Sequence, residues 1–458
     1  MIRITERIIL NDSLYEVDTI NNDCIVESHT VHCKDTTVKK DNKTFFLLFD
    51  RHYILNKKVF NYINIYMDSI GKSYQTKEKT NTALKHLYSF LDIFNIKLEE
   101  ITNDEVAKLL AFISGTSLQG SDIAITFIKP RNASTINDYL SIIRTYVKYL
   151  GLTKSPLLAS AGKRLITNLI GETTKKEAYQ IKVKEYHRQI VPKHIKLDEF
   201  KIMQKYLHDK GDKKLEIIIR LMYESGLRRG EVLSLTYEDL KIENKNGMTL
   251  YKVILRNRYG NPPDRSPKFL MKIKDKKDYK SSSYQQKGYG WNEMLITKSL
   301  YEMILDYIEE THSKAQNECS SYWKNSIADK VDDGFNEENN FFIFLNNNGC
   351  PLSGKVLGNE IKELFINCGI KLNPDGGTRD GLCHRFRHGF AMYQVNYNNT
   401  PMALLKELMR HSSINSTAIY YTPETSDIIK IKDNLSKSVY DFIPEFNLNV
   451  ENDNETQN

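Results

Sequence analysis

After the first 50 residues, apolar positions recur at helical spacing through much of the chain. Leu84, Leu87, Tyr88 and Leu91 share one face of a predicted helix, and Ile136, Leu140, Ile143 and Val147 share another. Thr102 stands three residues ahead of Glu105 at the start of the run EVAKLLAFI, which is capping-box spacing, and Ser134 or Thr135 precedes the later stripe as a start signal. Residues 51–152 therefore read as a helical bundle. The first 50 residues differ, because stretches such as TVHCKDTTVKKDNKTFFLLF alternate β-branched and polar residues and predict a small β-rich arm.

Periodicity fades over residues 153–193, where Lys154, Lys163, Arg164, Lys175, Lys176, Lys182, Lys184, Arg188 and Lys193 accumulate ahead of another helical pattern. This stretch reads as a basic linker, above all in its second half. From Ile195 onward helical stripes alternate with strand-like runs at YKVILRN, FLMKI and FFIFL, so residues 194–447 form a larger, mixed but mostly helical domain. The tail, residues 448–458, is polar and acidic and cannot bury enough surface to order itself. The expected fold class is mainly α with a small β component.

At 458 residues the chain has room for roughly two to four folding units. Its 65 Lys and Arg against 58 Asp and Glu give a formal charge of +7, so a nucleic-acid surface has to come from local clustering. The six cysteines are scattered, without CxxC pairs or zinc spacing, and read as reduced thiols. The opening MIRITERIIL lacks a signal pattern, and no run approaches the roughly 18 apolar residues of a membrane span, which predicts a soluble intracellular protein.

Three segments carry candidate chemistry. In SGLRRGEVLSL, Gly226 ends one helical stripe (Leu215, Ile218, Ile219, Met222, Tyr223) and Arg228 falls at the corner before the next helix. In GLCHRFRHGFA, His384, Arg387 and His388 are three and four residues apart and share a helical face. A guanidinium there can bind two phosphate oxygens, and an imidazole can donate to a third or move a proton. In LMRHSSINSTAIYYTPE, His411 is followed by a polar turn and then Tyr420 and Tyr421. Taken singly, each has an ordinary explanation as a solvated charge, an ion-pair cluster or packed aromatics.

Together, in this order and at these separations, GLRxGE, HxxRH and H-S-S…T-x-I-Y resemble the tyrosine recombinases, the phage integrase family. NASTINDYLSIIRTYVKYL is similar to the end of that family's helical core-binding domain, and GCPLSGKVLGNEIKELF to the lead-in of its HxxR box, so the resemblance covers roughly residues 53–440. It implies a helical core DNA-binding domain joined to a catalytic domain. It makes Arg228 the first catalytic arginine, His384 and Arg387 the HxxR pair, His411 the second-box histidine, and Tyr420, nine positions beyond it, the nucleophile in preference to Tyr421. Two features depart from the family: Arg410 stands where glycine usually precedes the second-box histidine, and the short hairpin that carries the family's lysine is here long and irregular. Lys268, just after the turn signal GNPPD, is the chosen lysine, with Lys272 and Lys274 as alternatives in a locally basic segment.

The resemblance further implies site-specific strand cleavage and rejoining through a 3′-phosphotyrosine, with Lys268 protonating the leaving 5′ oxygen and no metal, ATP or other cofactor. No GxxxxGK[ST] loop or acidic cluster near the motifs argues otherwise. The implied partners are double-stranded DNA at specific recombination sites, three further copies of the chain in a homotetramer, and accessory proteins, with the region after Tyr420 packing on a neighbour. The implied location is the bacterial cytoplasm, on the nucleoid. A type IB topoisomerase, which relaxes supercoils, and a non-catalytic DNA-binding descendant of such enzymes are the competing readings.

Overall fold

A computed structural model describes residues 1–9, 12–40, 43–117, 120, 122–128, 130–167, 173–184, 192–259, 261–262, 264–325, 340–372 and 381–421. The chain divides into two compact units, Met1–His187 and Arg188–Asn458. The architecture is mainly helical with small sheets. Among the described residues, no helix is long and apolar enough to cross a membrane, and no disulfide joins any of the cysteines.

In the first unit, strands β1 (Ile2–Ile9), β2 (Asp12–Asn21) and β3 (Cys24–Val31) form an antiparallel run. β4 (Lys34–Lys40) and β5 (Lys43–Phe49) make a hairpin. Helices α1 (Tyr74–Ile93), α2 (Asn103–Ser114) and α3 (Ala133–Tyr149) follow. The expected β-rich arm is not separate from the expected bundle. A further strand, β6 (Ile123–Thr126), lies between α2 and α3 in sequence and pairs parallel with β1, giving the sheet order β3-β2-β1-β6. The inward residues Ile4, Tyr15, Phe46 and Leu48 join Leu84, Leu87, Phe112, Leu140 and Ile143 in one core. Neither layer alone covers its apolar face, so the two bury each other.

Two local expectations change. The capping box at Thr102 and Glu105 is present, but α3 starts from Asn132, whose side chain accepts from Thr135 N at 2.8 Å, and not from Ser134 or Thr135. Within the expected linker, β7 (Ser160–Thr167) and β8 (Thr173–Tyr179) pair as an antiparallel hairpin. Its Tyr179 ring lies 4.3 Å from the Arg144 guanidinium, which gives that segment an anchor on α3.

The second unit begins with α4 (Leu197–Lys210), α5 (Lys213–Glu224) and the short α6 (Arg229–Leu233). A three-stranded antiparallel sheet comes next, with β9 (Leu240–Lys245) and β10 (Met248–Arg256) adjacent in sequence and β11 (Trp291–Ile296) reached only after a long excursion, residues 257–290. Then come α7 (Lys298–Glu318), α8 (Gly354–Asn367), α9 (Leu382–Asn396) and α10 (Met402–Leu408). The apolar stripe of α5 is central to the core, with Ile217, Ile218, Leu221 and Met222 fully buried against Leu300, Ile304, Leu357, Ile361 and Phe386.

YKVILRN falls in β10 and its end, but FLMKI and FFIFL are not strands. At FLMKI the carbonyls of Leu270 and Met271 accept from the side-chain amide of Asn257, which replaces a neighbouring strand. FFIFL is buried throughout and makes isolated bridges, Thr236 to Phe342 and Leu345 to Pro351. The region after Tyr421, including the segment expected to reach a neighbouring copy and the tail, lies outside the described residues.

Gly226 makes the corner between α5 and α6 possible. Its φ of +61° is one that side chains resist, and a Cβ there would lie 2.6 Å from the Phe390 ring. Gly226→Ala should therefore destabilise the second unit by about 2–4 kcal/mol, combining left-handed strain with overpacking. Denaturant midpoints of the two proteins check this, and an unchanged midpoint would show that Phe390 can yield.

Candidate active site

The corner after Gly226 leaves Arg228 extended, at φ −78° and ψ 152°, as the residue that precedes α6. Its N–H donates to Glu231 Oε2 at 2.8 Å, and its Nη1 donates to Glu231 Oε1 at 2.8 Å. Its Nη2 reaches the Arg410 carbonyl at 3.1 Å. Arg410 in turn donates from Nη2 to Glu231 Oε2 at 2.7 Å and to the Gly226 carbonyl at 3.2 Å. Glu231, whose side chain is 3% exposed, thus serves two guanidiniums and caps α6. Burial opposes its ionisation, but Arg410, Arg387 and Arg228 outweigh burial and hold the carboxyl at about 2.

Helix α9 supplies the next three groups from one face. Arg387 is buried and donates to the carbonyls of Gly226 and Met409, tying α9 to the α5–α6 corner and to the end of α10. Burial lowers its pKa to about 9 against the pull of Glu231, with Arg228 and Arg410 adding repulsion, so it stays charged at neutral pH. His384 keeps solvent contact. Desolvation by surrounding atoms, then Arg387, Lys268, Arg228 and Arg229, lowers it to about 4. His388, one turn on, is lowered to about 4 by burial and then by His384, Arg387 and His194, so its imidazole is neutral at pH 7.

Tyr420 is 3% exposed and packs with Phe390, Met392, Leu405 and Met409. Its hydroxyl lies 2.7 Å from His388 Nδ1, an arrangement in which the tyrosine donates when the ring carries its proton on Nε2. The His411 ring lies nearly parallel to Tyr420, at 13° and 6.4 Å, and its Nδ1 is 2.9 Å from Thr417 Oγ1. Burial, then Arg387, Arg228 and Arg410, lowers His411 to about 4. Burial raises Tyr420 to about 12, while Arg387 and Arg228 pull the other way. Tyr421 turns aside, and its hydroxyl donates to the Thr400 carbonyl.

Lys268 is exposed in the excursion between β10 and β11, and its charge is among those acting on His384. The next residue, Phe269, has φ +68° and is 69% exposed, and its ring lies 5.4 Å from the Arg228 guanidinium carbon. Lys272 and Lys274 are exposed further along the excursion.

Arg228, His384, Arg387, His411 and Tyr420 thus converge, with Lys268 in electrostatic range. The sequence reading gave no separate role to His388, although its spacing from His384 already placed it on the same face. Arg410 holds φ +50°, in the left-handed region that a glycine enters freely. The departure noted there puts a guanidinium on a backbone shape suited to glycine, and the ion pair with Glu231 compensates for the strain.

The phage integrase family matches residues 194–426 of the chain, and the chain belongs to that family. Transposase A from transposon Tn554 of Staphylococcus aureus is 30% identical over 213 residues, 44% of this chain and 57% of the transposase. Tyrosine recombinase XerC of Lactobacillus delbrueckii subsp. bulgaricus is 28% identical over 85 residues, 19% of this chain and 26% of XerC. The chain thus spans little more than half of the first of these relatives and a quarter of the second. Among solved structures, the Tn1549 transposon integrase in complex with transposon right end DNA aligns with a TM-score of 0.48 and 14% identity, covering 82% of this chain and 99% of that one.

The half-buried, neutral histidines make the second unit acid-sensitive. His388 and His411 have folded values of about 4 against an ordinary 6.5, so the unfolded chain takes up protons that the folded site refuses. Stability is full above pH 6.5 and falls as pH drops toward 4, and Glu231, at about 2 against 4.5, adds a further loss below that. Denaturant midpoints should fall between about pH 7 and about pH 4, and His411→Gln should flatten the fall by up to one proton. A midpoint independent of pH across this range would show that these rings are not held neutral in the fold.

Proposed function

We propose that the chain is a site-specific DNA recombinase that cleaves and rejoins strands through a covalent 3′-phosphotyrosine at Tyr420. The observation that carries this reading is the Tyr420 hydroxyl held 2.7 Å from a neutral His388 within a cluster of arginines. The kinship with a transposase and with XerC supports it.

At neutral pH a tyrosine with a value of about 12 attacks only if its proton leaves as the new bond forms. His388 Nδ1 is placed to take that proton. As Tyr420 Oη bonds to phosphorus, charge builds on the non-bridging oxygens, and Arg228 and Arg387 face it with N–H groups beyond those spent on Glu231 and the backbone carbonyls. His384 and His411 act as further donors at the rim. The P–O5′ bond breaks as Lys268 gives its proton to O5′. The phosphotyrosine keeps the diester's bond energy, so a 5′ hydroxyl from a second strand reverses the step and seals the junction, and neither metal nor ATP is required.

Exchange between two duplexes cuts four strands, one tyrosine for each, which calls for four copies of the chain on paired sites. Residues 51–152 would serve as the core DNA-binding domain and residues 194–447 as the catalytic domain, with affinity dominated by phosphate contacts and therefore weakened by salt.

Nicked suicide DNA carrying the sequences that flank the gene, incubated without metal or ATP, tests the chemistry. Wild type and Tyr421→Phe should form a protease-sensitive protein–DNA adduct, and Tyr420→Phe should form none. An adduct lost with Tyr421 and kept without Tyr420 would reassign the nucleophile. No adduct from any variant would favour a non-catalytic DNA-binding protein.

A further inference from the structure

We infer that Asn257 is a positioning residue for proton transfer to the leaving strand, because it fixes the loop that carries Lys268. The inference rests on the recombinase reading above, with Lys268 as the leaving-group acid. Asn257 directly follows β10 and is 1% exposed. Its Nδ2 faces the carbonyls of Pro267, Leu270 and Met271 at 3.2, 3.1 and 3.1 Å, and its Oδ1 accepts from Ser266 Oγ at 2.6 Å. One buried amide therefore holds the two residues before the Lys268–Phe269 tip and the two after it, while the tip itself stays exposed.

The amide is itself anchored from behind. Its backbone carbonyl accepts from the Tyr284 hydroxyl at 2.8 Å. Its neighbours Arg256 and Arg258 are buried in ion pairs with Glu238 and Asp239, including Arg258 Nη2 to Asp239 Oδ1 at 2.7 Å. The loop is also seated against the arginine corner: a Cβ on Gly230 would come within 2.8 Å of the Ser266 carbonyl. Asp264 Oδ2 accepts from Gly354 N at 2.8 Å. A segment with no helix or strand at its tip takes its shape from such cross-bonds. Asparagine suits the position because it offers a donor side and an acceptor side on one short planar group, whereas a carboxylate would turn negative oxygen toward three carbonyls.

In the step concerned, the Tyr420 Oη–P bond forms, the P–O5′ bond breaks, and the electron pair left on O5′ takes the proton from Lys268 Nζ. If O5′ is replaced by sulfur, the leaving group departs as a thiolate and needs no proton, since a thiol's reference pKa is about 8.5. A defect confined to the placement of Lys268 then disappears, whereas a folding or DNA-binding defect remains.

The test compares single-turnover cleavage of nicked DNA with oxygen or sulfur at the bridging 5′ position by wild type, Lys268→Ala, Asn257→Asp and Ser266→Ala. On oxygen, Asn257→Asp should be slowed about 100-fold, in the range of a lost general acid, and Ser266→Ala, which removes one of the four contacts, by less. On sulfur, all three variants should approach wild type to within about tenfold. The Asn257 inference falls if Lys268→Ala is rescued while Asn257→Asp and Ser266→Ala are equally impaired on both substrates, or if neither is impaired on oxygen. If Lys268→Ala itself is not rescued by sulfur, the assignment of Lys268 as acid falls and the inference with it.

Discussion

A single buried carboxylate makes the arginine cluster possible. Arg228 and Arg410 both bond to Glu231, and Arg387 lies close enough to help hold its pKa at about 2. Without a counter-charge, guanidiniums gathered in a poorly solvated corner would repel one another by several kcal/mol at an effective dielectric of about 20. With one, the corner is stable but not neutral, since three cations face one anion. That surplus of positive charge suits the phosphate of the proposed reaction, so the same ion pair would serve both the fold and the binding of a charged guest.

The tyrosine beside the arginine cluster belongs equally to the packing. Tyr420 completes a small core with Phe390, Met392, Leu405 and Met409, so the tyrosine ring is held by apolar contact while its hydroxyl meets a polar partner. The helix that supplies His384, Arg387 and His388 also supplies Phe390, which rests against the glycine corner of Arg228. Packing and chemistry are therefore interleaved along one helix, with polar and apolar demands met on adjacent turns.

What could be read from the sequence was what depends on local spacing. The separations of His384, Arg387 and His388 fix their common face on any helix, Gly226 announces a chain reversal, and Thr102 and Glu105 announce a helix start. What could not be read depends on partners distant in sequence. β6 is four residues long and is a strand because β1 lies beside it, which is also why the β-rich arm and the helical bundle form one core. FLMKI has a strand's composition, yet Asn257 takes its carbonyls, and no periodicity announces a side-chain amide. His388 was visible by position, but its link to Tyr420 spans 32 residues and needs α10 to fold back first.

Tyr421 gives the neighbouring tyrosine a mechanical setting. Its hydroxyl is tied to the Thr400 carbonyl ahead of α10, so the backbone beside Tyr420 is tethered to the same element that delivers His411. Tyr420 is thus held twice, its backbone through this neighbouring tether and its ring by the apolar contacts of Phe390, Met392, Leu405 and Met409. On the recombinase reading, a tyrosine held at both backbone and ring calls for the scissile strand to be brought to it.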